Sequence, residues 1–395
     1  MKRVFIIIAT IVAGSGVLNA QTSLEDVLRS IEANNKELRA SMSMTAAKKL
    51  EAKTENNLPD PSVSYTHQYG NREGMGFQGE LVASQSFDFP SLYVQRHKLA
   101  KDRSVVFDRE HSALRQQVLL QAKNICLDLI LLNQQKALLD QRKKNAEELS
   151  KLYAVRLQNG DANILETNKI ELELLNVKNE VRLNEAARTT KLQELMALNG
   201  GEVINFSDTE YPETKDFSLE YADFCREALS ANPELQVLTG EKAAALRNVT
   251  VSKHQGLPEL ELGYRMNPSS GGERYNGFLV GVSIPLFSNR NKVKLAKAQQ
   301  LYAETMLDNT TTQVNTELHG LWNRAEALRA SMNEYKEVLG RQNSLELLNK
   351  AIQSGQISMI EYFVDVTTLY QSIENYQQIQ NEYQLVIAQL YKYRL

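Results

Sequence analysis

Histidine and cysteine are the side chains that would most readily serve a catalytic or metal site in this chain, and neither type is grouped. The sequence has five histidines and two cysteines among 395 residues. No two histidines stand four residues apart and no HExxH motif occurs, so the spacing used by helical zinc sites is missing. No Ser/His/Asp or Cys/His arrangement is recognisable either. The sequence therefore predicts no cofactor, no metal site and no catalytic activity.

Two glutamates have a more informative position. Glu166 and Glu361 each follow a glycine by six residues, the glycines being Gly160 and Gly355, and Asp365 lies one helical turn after Glu361. Carboxylates that are brought together repel one another and attract cations. These positions predict either a cation-attracting cluster or ordinary solvated charges on a helical surface.

The elements that would position these residues occur twice. Pro90 is matched by Pro285 and Gly160 by Gly355, each pair 195 residues apart, and LQNGDANILE around the first glycine resembles IQSGQISMIE around the second. A duplication of this period predicts two structurally equivalent halves. We predict a first repeat at 21–199 and a second at 218–395, each beginning with a helix, and a linker or equatorial segment at 200–217.

The long runs between these markers predict helical hairpins. Residues 91–159 contain no proline or glycine, and as one α-helix they would be roughly 100 Å long at about 1.5 Å per residue. Apolar residues recur at heptad spacing there and near the end of the chain, which favours coiled-coil packing. Each glycine separates two such runs, so we predict the hairpin tips near Gly160 and Gly355.

Four shorter stretches alternate between apolar and polar residues. A stretch of about ten residues with one apolar face is typical of a transmembrane β-strand. Four strands do not close a barrel, and lipid does not tolerate open sheet edges, so we expect the chain to pool its strands with copies of itself. The predicted strands are 61–70, 77–87, 258–266 and 277–287.

The N-terminal residues and the composition place the protein outside the cytoplasm. Lys2 and Arg3 precede an apolar stretch that ends near Ala20, which predicts a signal peptide at 1–20. Cys126 and Cys225 are expected to be unpaired. A net charge of −3 argues against a nucleic-acid partner.

Taken together, these features resemble the TolC family of outer-membrane channels. The most specific elements are GVSIPLF at 281–287 and GQISMIEYFVDVTTLY at 355–370, and the resemblance covers essentially the whole mature chain. It implies a mixed α and β membrane protein, mostly α. Its trimeric 12-stranded β-barrel, with four strands per chain, would continue into a long α-helical coiled-coil barrel in the periplasm.

The resemblance also implies a function and partners. The protein would be the outer-membrane channel of a tripartite efflux system, a passive homotrimeric duct with no enzymatic activity, surrounded by outer-membrane lipid. Its cargo, small molecules or ions, would come from a periplasmic adaptor (membrane fusion) protein and an inner-membrane pump such as a resistance-nodulation-division transporter. The residues leave open whether drugs, bile acids, metal ions or proteins are carried.

The same resemblance assigns functional residues to the hairpin tips. Adaptor docking is expected at Gly160, Ala162, Gly355 and Ser358. A periplasmic gate or constriction is expected from Glu361, Asp365, Val364, Glu166 and Ile357. The Tyr and Arg that fasten the closed tip in the best-known member would stand at Ile352 and Ile357, so we expect an apolar seal and no polar lock of that kind.

Two alternatives use the same elements. The duct could serve type I protein export or polysaccharide export, because such a channel does not itself select the cargo. From a different class, the chain could be a periplasmic coiled-coil scaffold protein without a barrel. The apolar-faced strands favour the channel, since a scaffold has no use for them.

Overall fold

A computed structural model describes residues 23–213, 220–340 and 344–395. The predicted signal peptide, 1–20, and the end of the predicted linker, 214–217, lie outside these ranges. The described residues form long helices and one small antiparallel sheet. In chain order the elements are α1 Leu24–Asn34, α2 Lys36–Thr54, β1 Ser62–Tyr69, β2 Phe77–Phe87, α3 Pro90–Gln158, α4 Ile164–Leu198, α5 Tyr221–Ala231, α6 Pro233–His254, β3 Glu259–Pro268, β4 Arg274–Ser283, α7 Lys292–Gly340, α8 Ser344–Gln353, α9 Met359–Leu390 and a 3₁₀ turn at Lys392–Arg394.

The two halves begin with the same junction between helices. Asn35 ends α1 and caps α2, with φ −62° and ψ 123°, and Asn232 ends α5 and caps α6, with φ −62° and ψ 121°. The side-chain oxygen of Asn35 accepts from the Leu38 amide at 2.9 Å, and that of Asn232 accepts from the Leu235 amide at 3.1 Å. An asparagine in this position satisfies an amide that the helix itself leaves free. Each half therefore starts with two helices joined at one capped residue.

The helix α3 is the spine of the molecule. It runs for 69 residues and pairs with α4 along its second part. The heptad positions Val118, Ala122, Ile125 and Leu129 are each buried, as the coiled-coil pattern predicts. These residues pack against α1 and the end of α4, in a core at mid-length of the helix.

The segment after α4 is not a free linker. Phe206 is fully buried in the same mid-length core, and the Asn133 amide donates to the Asp208 carbonyl at 2.8 Å. The Tyr211 hydroxyl donates to the Asn381 side chain of α9 at 3.2 Å. The described part of the segment therefore fastens α3 to α9. The limits of the two repeats and of this segment stay a proposal.

The four strands form a single sheet in the order β1-β2-β3-β4. The register places Val63, Ala83, Tyr264 and Phe278 in one row across it. This face is apolar and exposed: Phe278 is 93% exposed and Val280 75%. The opposite face is polar and carries the Arg265–Glu80 ion pair at 3.0 Å. Both β1 and β4 are edge strands that lack a neighbour on one side within the described chain.

The last strand differs from its sequence prediction. It was expected at 277–287, but β4 extends from Arg274 to Ser283. Proline has no amide to donate to a ladder, and Pro285 lies just after the strand, where the Leu286 amide turns back to the Ile284 carbonyl at 2.9 Å. The strand begins earlier because the pairing of β3 and β4 continues to Pro268 and Arg274.

None of the helices in the described ranges combines the length and the apolar composition that a membrane-spanning helix needs.

The paired junctions allow a stability test. Replacing Asn232→Ala should lower the free energy of unfolding by about 1 kcal/mol, because one helix-end amide loses its acceptor. Asn232→Ser keeps an acceptor and should stay near the parent. Asn35→Ala should cost more than Asn232→Ala, because the Asn35 amide also donates to the Leu198 carbonyl at 2.8 Å. Thermal or denaturant unfolding of the purified protein in detergent measures all three. Equal loss from Asn232→Ala and Asn232→Ser would contradict the capping role.

Candidate functional site at the helical turns

Two turns reverse the chain at the end of the long hairpins, and both depend on a glycine. Gly160 follows α3 with φ +82°, and Gly355 follows α8 with φ +73°. A β-carbon added at either position would meet no atom within 4 Å. The requirement for glycine is therefore the left-handed backbone conformation and not lack of space.

The same hydrogen bonds close both helix ends. At the first turn the Asp161 amide donates to the Arg156 carbonyl at 2.7 Å and the Gly160 amide to the Leu157 carbonyl at 3.1 Å. At the second turn the Gln356 amide donates to the Ala351 carbonyl at 2.8 Å, and the Gly355 amide closes an equivalent bond. This pair of bonds is the Schellman motif, in which a glycine ends the helix. Glycine at 160 and 355 is thus explained by backbone geometry alone.

The predicted tip carboxylates begin the next helices. At the start of α4 the Asn163 amide donates to Glu166 Oε2 at 2.9 Å, and the Leu165 amide donates to Asn163 Oδ1 at 2.9 Å. At the start of α9 the Ser358 amide donates to Glu361 Oε2 at 2.8 Å, and the Glu361 amide donates to Ser358 Oγ at 3.2 Å. Both are capping boxes, in which the cap residue and the glutamate satisfy each other's amides. The matched spacing of the two glutamates from their glycines follows from this local structure.

Hydrogen bonds at the cap also change the acidity of Glu361. The Ser358 backbone amide, and then its hydroxyl, hold the pKa of the Glu361 carboxyl below its usual value. A carboxyl whose pKa is lowered by folding stabilises the fold above its unfolded pKa, and this contribution is lost as the pH falls through the folded pKa. The cap at the start of α9 is therefore intact at neutral pH and weakens in acid.

The remaining predicted tip residues fall into two groups. Asp365 and Val364 lie on the exposed side of α9, and Val364 is 60% exposed. Ala162 and Ile357 are half-buried, and each packs against a group of apolar side chains that we call the tip cluster. The buried members of the tip cluster are Leu149, Tyr153, Ile170, Ile352, Met359, Tyr362, Val366 and Tyr370.

The tip cluster explains why a polar fastening is missing at Ile352. This side chain belongs to α8, is only 1% exposed, and packs in the tip cluster with side chains of the first hairpin. A polar side chain there would lose its hydrogen bonds to water. The neighbouring polar contact is the Tyr362 hydroxyl, which donates to Asn349 Oδ1 at 2.8 Å. Burial raises the pKa of Tyr362 well above its usual value, so the hydroxyl is a permanent donor.

Apolar side chains next to the turns are left uncovered by the chain itself. Ile164 and Leu165 at the start of α4 are 54% and 63% exposed, and Ile360 at the start of α9 is 64% exposed. These side chains are not members of the tip cluster, although that cluster lies at the same end of the hairpins. These three residues and Val364 form what we call the tip surface; the sequence prediction included Val364, as part of the constriction, but not Ile164, Leu165 or Ile360. The exposed residues could not be distinguished in the sequence, because apolar residues at heptad spacing surround them and the residue type alone does not show whether a leucine is exposed or buried.

No group of three or more His, Cys, Asp or Glu side chains within 23–213, 220–340 and 344–395 is arranged to hold a metal ion.

Sequence comparison matches the second half of the chain to a known family. Residues 225–393 match the model of the outer membrane efflux protein family. The match begins in α5 and includes β3, β4 and the second hairpin with its turn. Comparison with curated proteins gives no significant sequence match.

Comparison of structures extends the likeness over the first half. CusC, a protein whose crystal structures are described in terms of conformational changes accompanying folding and transmembrane channel formation, shares 14% identity with a TM-score of 0.77, covering 95% of this chain and 92% of that chain. A membrane protein from Pseudomonas aeruginosa shares 16% identity with a TM-score of 0.78, covering 94% and 93%. The Campylobacter jejuni CmeC outer membrane channel shares 17% identity with a TM-score of 0.73, covering 94% and 85%.

The helical hairpins and the four-stranded sheet thus form the fold of outer-membrane channels along nearly the whole chain. The sequence of residues 225–393 is similar to that of the outer membrane efflux protein family.

Proposed function

We propose that three copies of this chain form a passive duct through the outer membrane, which continues as a helical barrel into the periplasm. The observation that carries the proposal is the open sheet, whose apolar face is exposed and whose edges β1 and β4 are unpaired in one chain. Every backbone amide and carbonyl in lipid needs a partner, and closure into a barrel supplies one. Three copies with four strands each give twelve strands, which is within the range of membrane barrels.

The helical part supports a duct that extends far from the membrane. At about 1.5 Å per residue, α3 is roughly 100 Å long. The sheet lies at one end of this helix and the turn at Gly160 at the other. A barrel in the membrane with helices of this length joins the outer surface to a point deep in the periplasm.

The tip surface supports docking of a second protein. We propose that a periplasmic adaptor of helical-hairpin structure packs on it in coiled-coil fashion, and that the adaptor connects the duct to an inner-membrane pump. Apolar seams on both sides would interdigitate. Four residues would shape the tip surface: Gly160, Gly355 and Ser358 set the turns, and Ala162 contacts the tip cluster. Leu165 and Ile360 would contact the adaptor directly.

The general experiment is to purify the protein from outer membranes. Heat-resistant, detergent-dependent trimers that conduct ions across planar bilayers are expected, and deletion of the protein should raise sensitivity to exported compounds. A monomer in the periplasmic fraction would overturn the proposal and leave the scaffold interpretation.

The apolar face of β4 gives a test of the barrel. Val280→Arg or Val282→Arg should cost about 2–4 kcal/mol, because each side chain would face hydrocarbon near mid-strand, and the yield of assembled trimer should fall. Leu279→Arg is the matched control, because Leu279 pairs with Gly263 on the polar face, which would line a water-filled lumen. Equal trimer yields from Val280→Arg and Leu279→Arg would contradict the assignment of the two faces.

The tip surface gives a test of docking. Leu165→Glu or Ile360→Glu should reduce efflux at least tenfold, because a carboxylate would be buried in the adaptor seam, while trimers stay in the membrane. Bulky residues at Ala162 or Ser358 should also abolish efflux, through the shape of the turn. Lys169→Ala, exposed one turn from Leu165, is the control. Full efflux in Leu165→Glu and Ile360→Glu cells would place docking elsewhere.

The carboxylates at the tips give a test of ion selectivity. We propose that Glu361 and Asp365, repeated three times around a narrow opening, attract cations, with Glu166 adding charge nearby and Val364 and Ile357 supplying an apolar seal. Glu361→Gln keeps a side chain that serves a capping box and removes the charge. The Glu361→Gln, Asp365→Asn double variant should therefore assemble normally, lose most of its cation preference and resist block by multivalent cations in planar-bilayer recordings. If its cation preference is unchanged, these residues are structural caps and surface charges only.

A further inference from the structure

The segment that leads from β4 into α7 carries positive charge and no negative charge. From Arg274 to Ala303 the sequence has no Asp or Glu. The cations that follow the strand are exposed, and none of them has an ion-pair partner among residues 23–213, 220–340 and 344–395. We call them the basic patch, and its members are Arg290, Lys292, Lys294 and Lys297. Unpaired exposed cations contribute little to the fold of a single chain.

The start of α7 is an unfavourable place for these charges. Three members of the basic patch lie in the first two turns of α7, and its first turn has no acidic residue. The free amides at the start of a helix carry partial positive charge, so lysines there destabilise the helix. By contrast, α4, α6 and α9 each begin with a glutamate in the first turn. Local helix structure therefore does not explain the basic patch.

The turn before α7 fixes the patch relative to the sheet. Asn289 Nδ2 donates to the Ser252 carbonyl of α6 at 3.3 Å. A β-carbon at Gly256 would lie 2.7 Å from that Asn289 nitrogen, so glycine at 256 allows the turn to approach α6. Asn291 has φ 66°, a left-handed conformation that asparagine adopts more readily than most residues. The basic patch thus lies at a defined distance from Ser283, the last residue of β4.

Exposed apolar side chains lie between the strand and the patch. Ile284, Leu286 and Phe287 are all exposed, Phe287 to 84%. Phe89, which follows β2 at the same end of the sheet, is exposed as well. An apolar band followed directly by lysine and arginine is typical of a segment at the boundary between hydrocarbon and headgroups, where long side chains extend their charged ends to the polar layer.

The members of the patch are close enough together to act on one charged surface. Along α7, Lys292 and Lys297 are roughly 8 Å apart at about 1.5 Å per residue. The Debye length at physiological ionic strength is also about 8 Å. Lys294 and Lys297 are three residues apart and therefore lie on the same side of the helix. A negatively charged layer at the start of α7 would attract the whole patch.

We propose that the basic patch binds the phosphate groups of anionic phospholipids in the periplasmic leaflet of the outer membrane. The proposal rests on the proposed function, because it takes the apolar face of the sheet as the lipid-facing one. Headgroup phosphates accept charge-assisted hydrogen bonds from lysine and arginine, while Leu286 and Phe287 contact the acyl chains. Each copy contributes one patch, so the base of the barrel is surrounded by phospholipids that carry a net negative charge.

Two triple variants with the same change in net charge test the lipid site. Glutamine removes the charge of a lysine and has a similar helix propensity. The patch variant is Lys292→Gln, Lys294→Gln, Lys297→Gln. The control variant changes three exposed lysines in the half of the hairpins away from the sheet, and it is Lys144→Gln, Lys151→Gln, Lys336→Gln. Each purified protein is incubated in detergent with equal amounts of phosphatidylglycerol and phosphatidylethanolamine, and native mass spectrometry counts the bound lipids.

The parent and the control variant should bind phosphatidylglycerol over phosphatidylethanolamine by about fivefold, because only the first lipid has a net negative charge. In the patch variant this preference should fall below about twofold. Raising the salt from about 0.15 M to about 1 M shortens the Debye length to about 3 Å and should weaken the preference of the parent. Millimolar inorganic phosphate should leave it unchanged, because free phosphate has no acyl chains. Loss of the preference in inorganic phosphate would overturn the lipid site in favour of a phosphate site.

The remaining outcomes separate the lipid site from the duct. A parent that forms conducting trimers and binds the two lipids equally overturns the lipid site and leaves the duct. Equal preferences in the patch and control variants also overturn it. A patch variant with altered ion selectivity and unaltered lipid preference would place the lysines in the lumen instead. A parent that forms no trimers overturns the duct, and cosedimentation of both variants with phosphatidylglycerol vesicles then decides the lipid site: loss in the patch variant alone supports it, and equal binding overturns it.

Discussion

The need to pair every backbone amide and carbonyl governs this structure at both ends. In the sheet, the pairs run from β1 to β4 and stop at two open edges, which a chain placed in lipid has to share with other chains. At the far end, reversal of long helices leaves free carbonyls and amides, and the Schellman bonds at Gly160 and Gly355 and the capping boxes at Glu166 and Glu361 satisfy them. Between these ends the helices need only side-chain packing.

The capping boxes change how the acidic residues are interpreted. Two glutamates at one spacing from two glycines suggest a shared function, yet each glutamate has a local partner in its own chain. A capping residue can still contribute charge to a pore, since its second carboxylate oxygen and its net charge are unaffected by one accepted hydrogen bond. The position of each glutamate in its turn thus explains why a glutamate stands there. A role in ion selectivity would require the same glutamates of neighbouring copies of the chain.

Much of the fold was predictable because it depends on local patterns. The strand β2 matches its period-two stretch, α3 fills the run without proline or glycine, and the glycines end the helices where expected. The end of β4 was misplaced because alternation of side chains continues past Ser283, whereas the backbone pairing cannot pass Pro285. The signature N/S-x-x-E at both turns was present in the sequence and would have predicted the caps. The contact of the Arg142 guanidinium with the Tyr370 ring, 5.3 Å from its centroid, was not predictable, because the two residues are far apart in sequence and carry no periodic signal.

The continuous helix α3 also has a mechanical meaning. Without an internal glycine or proline it has no natural place to kink, so it behaves as a stiff rod that is packed at mid-length and again, by the tip cluster, near its turn. A rod of this kind converts rotation into displacement: a tilt of about 5° about a point near Arg142 moves the turn at Gly160, roughly 27 Å away, by about 2 Å. A partner that pushes on the turns would therefore act with leverage on the side chains packed further along α3, because a small rotation of the helix there corresponds to a larger displacement at the turn.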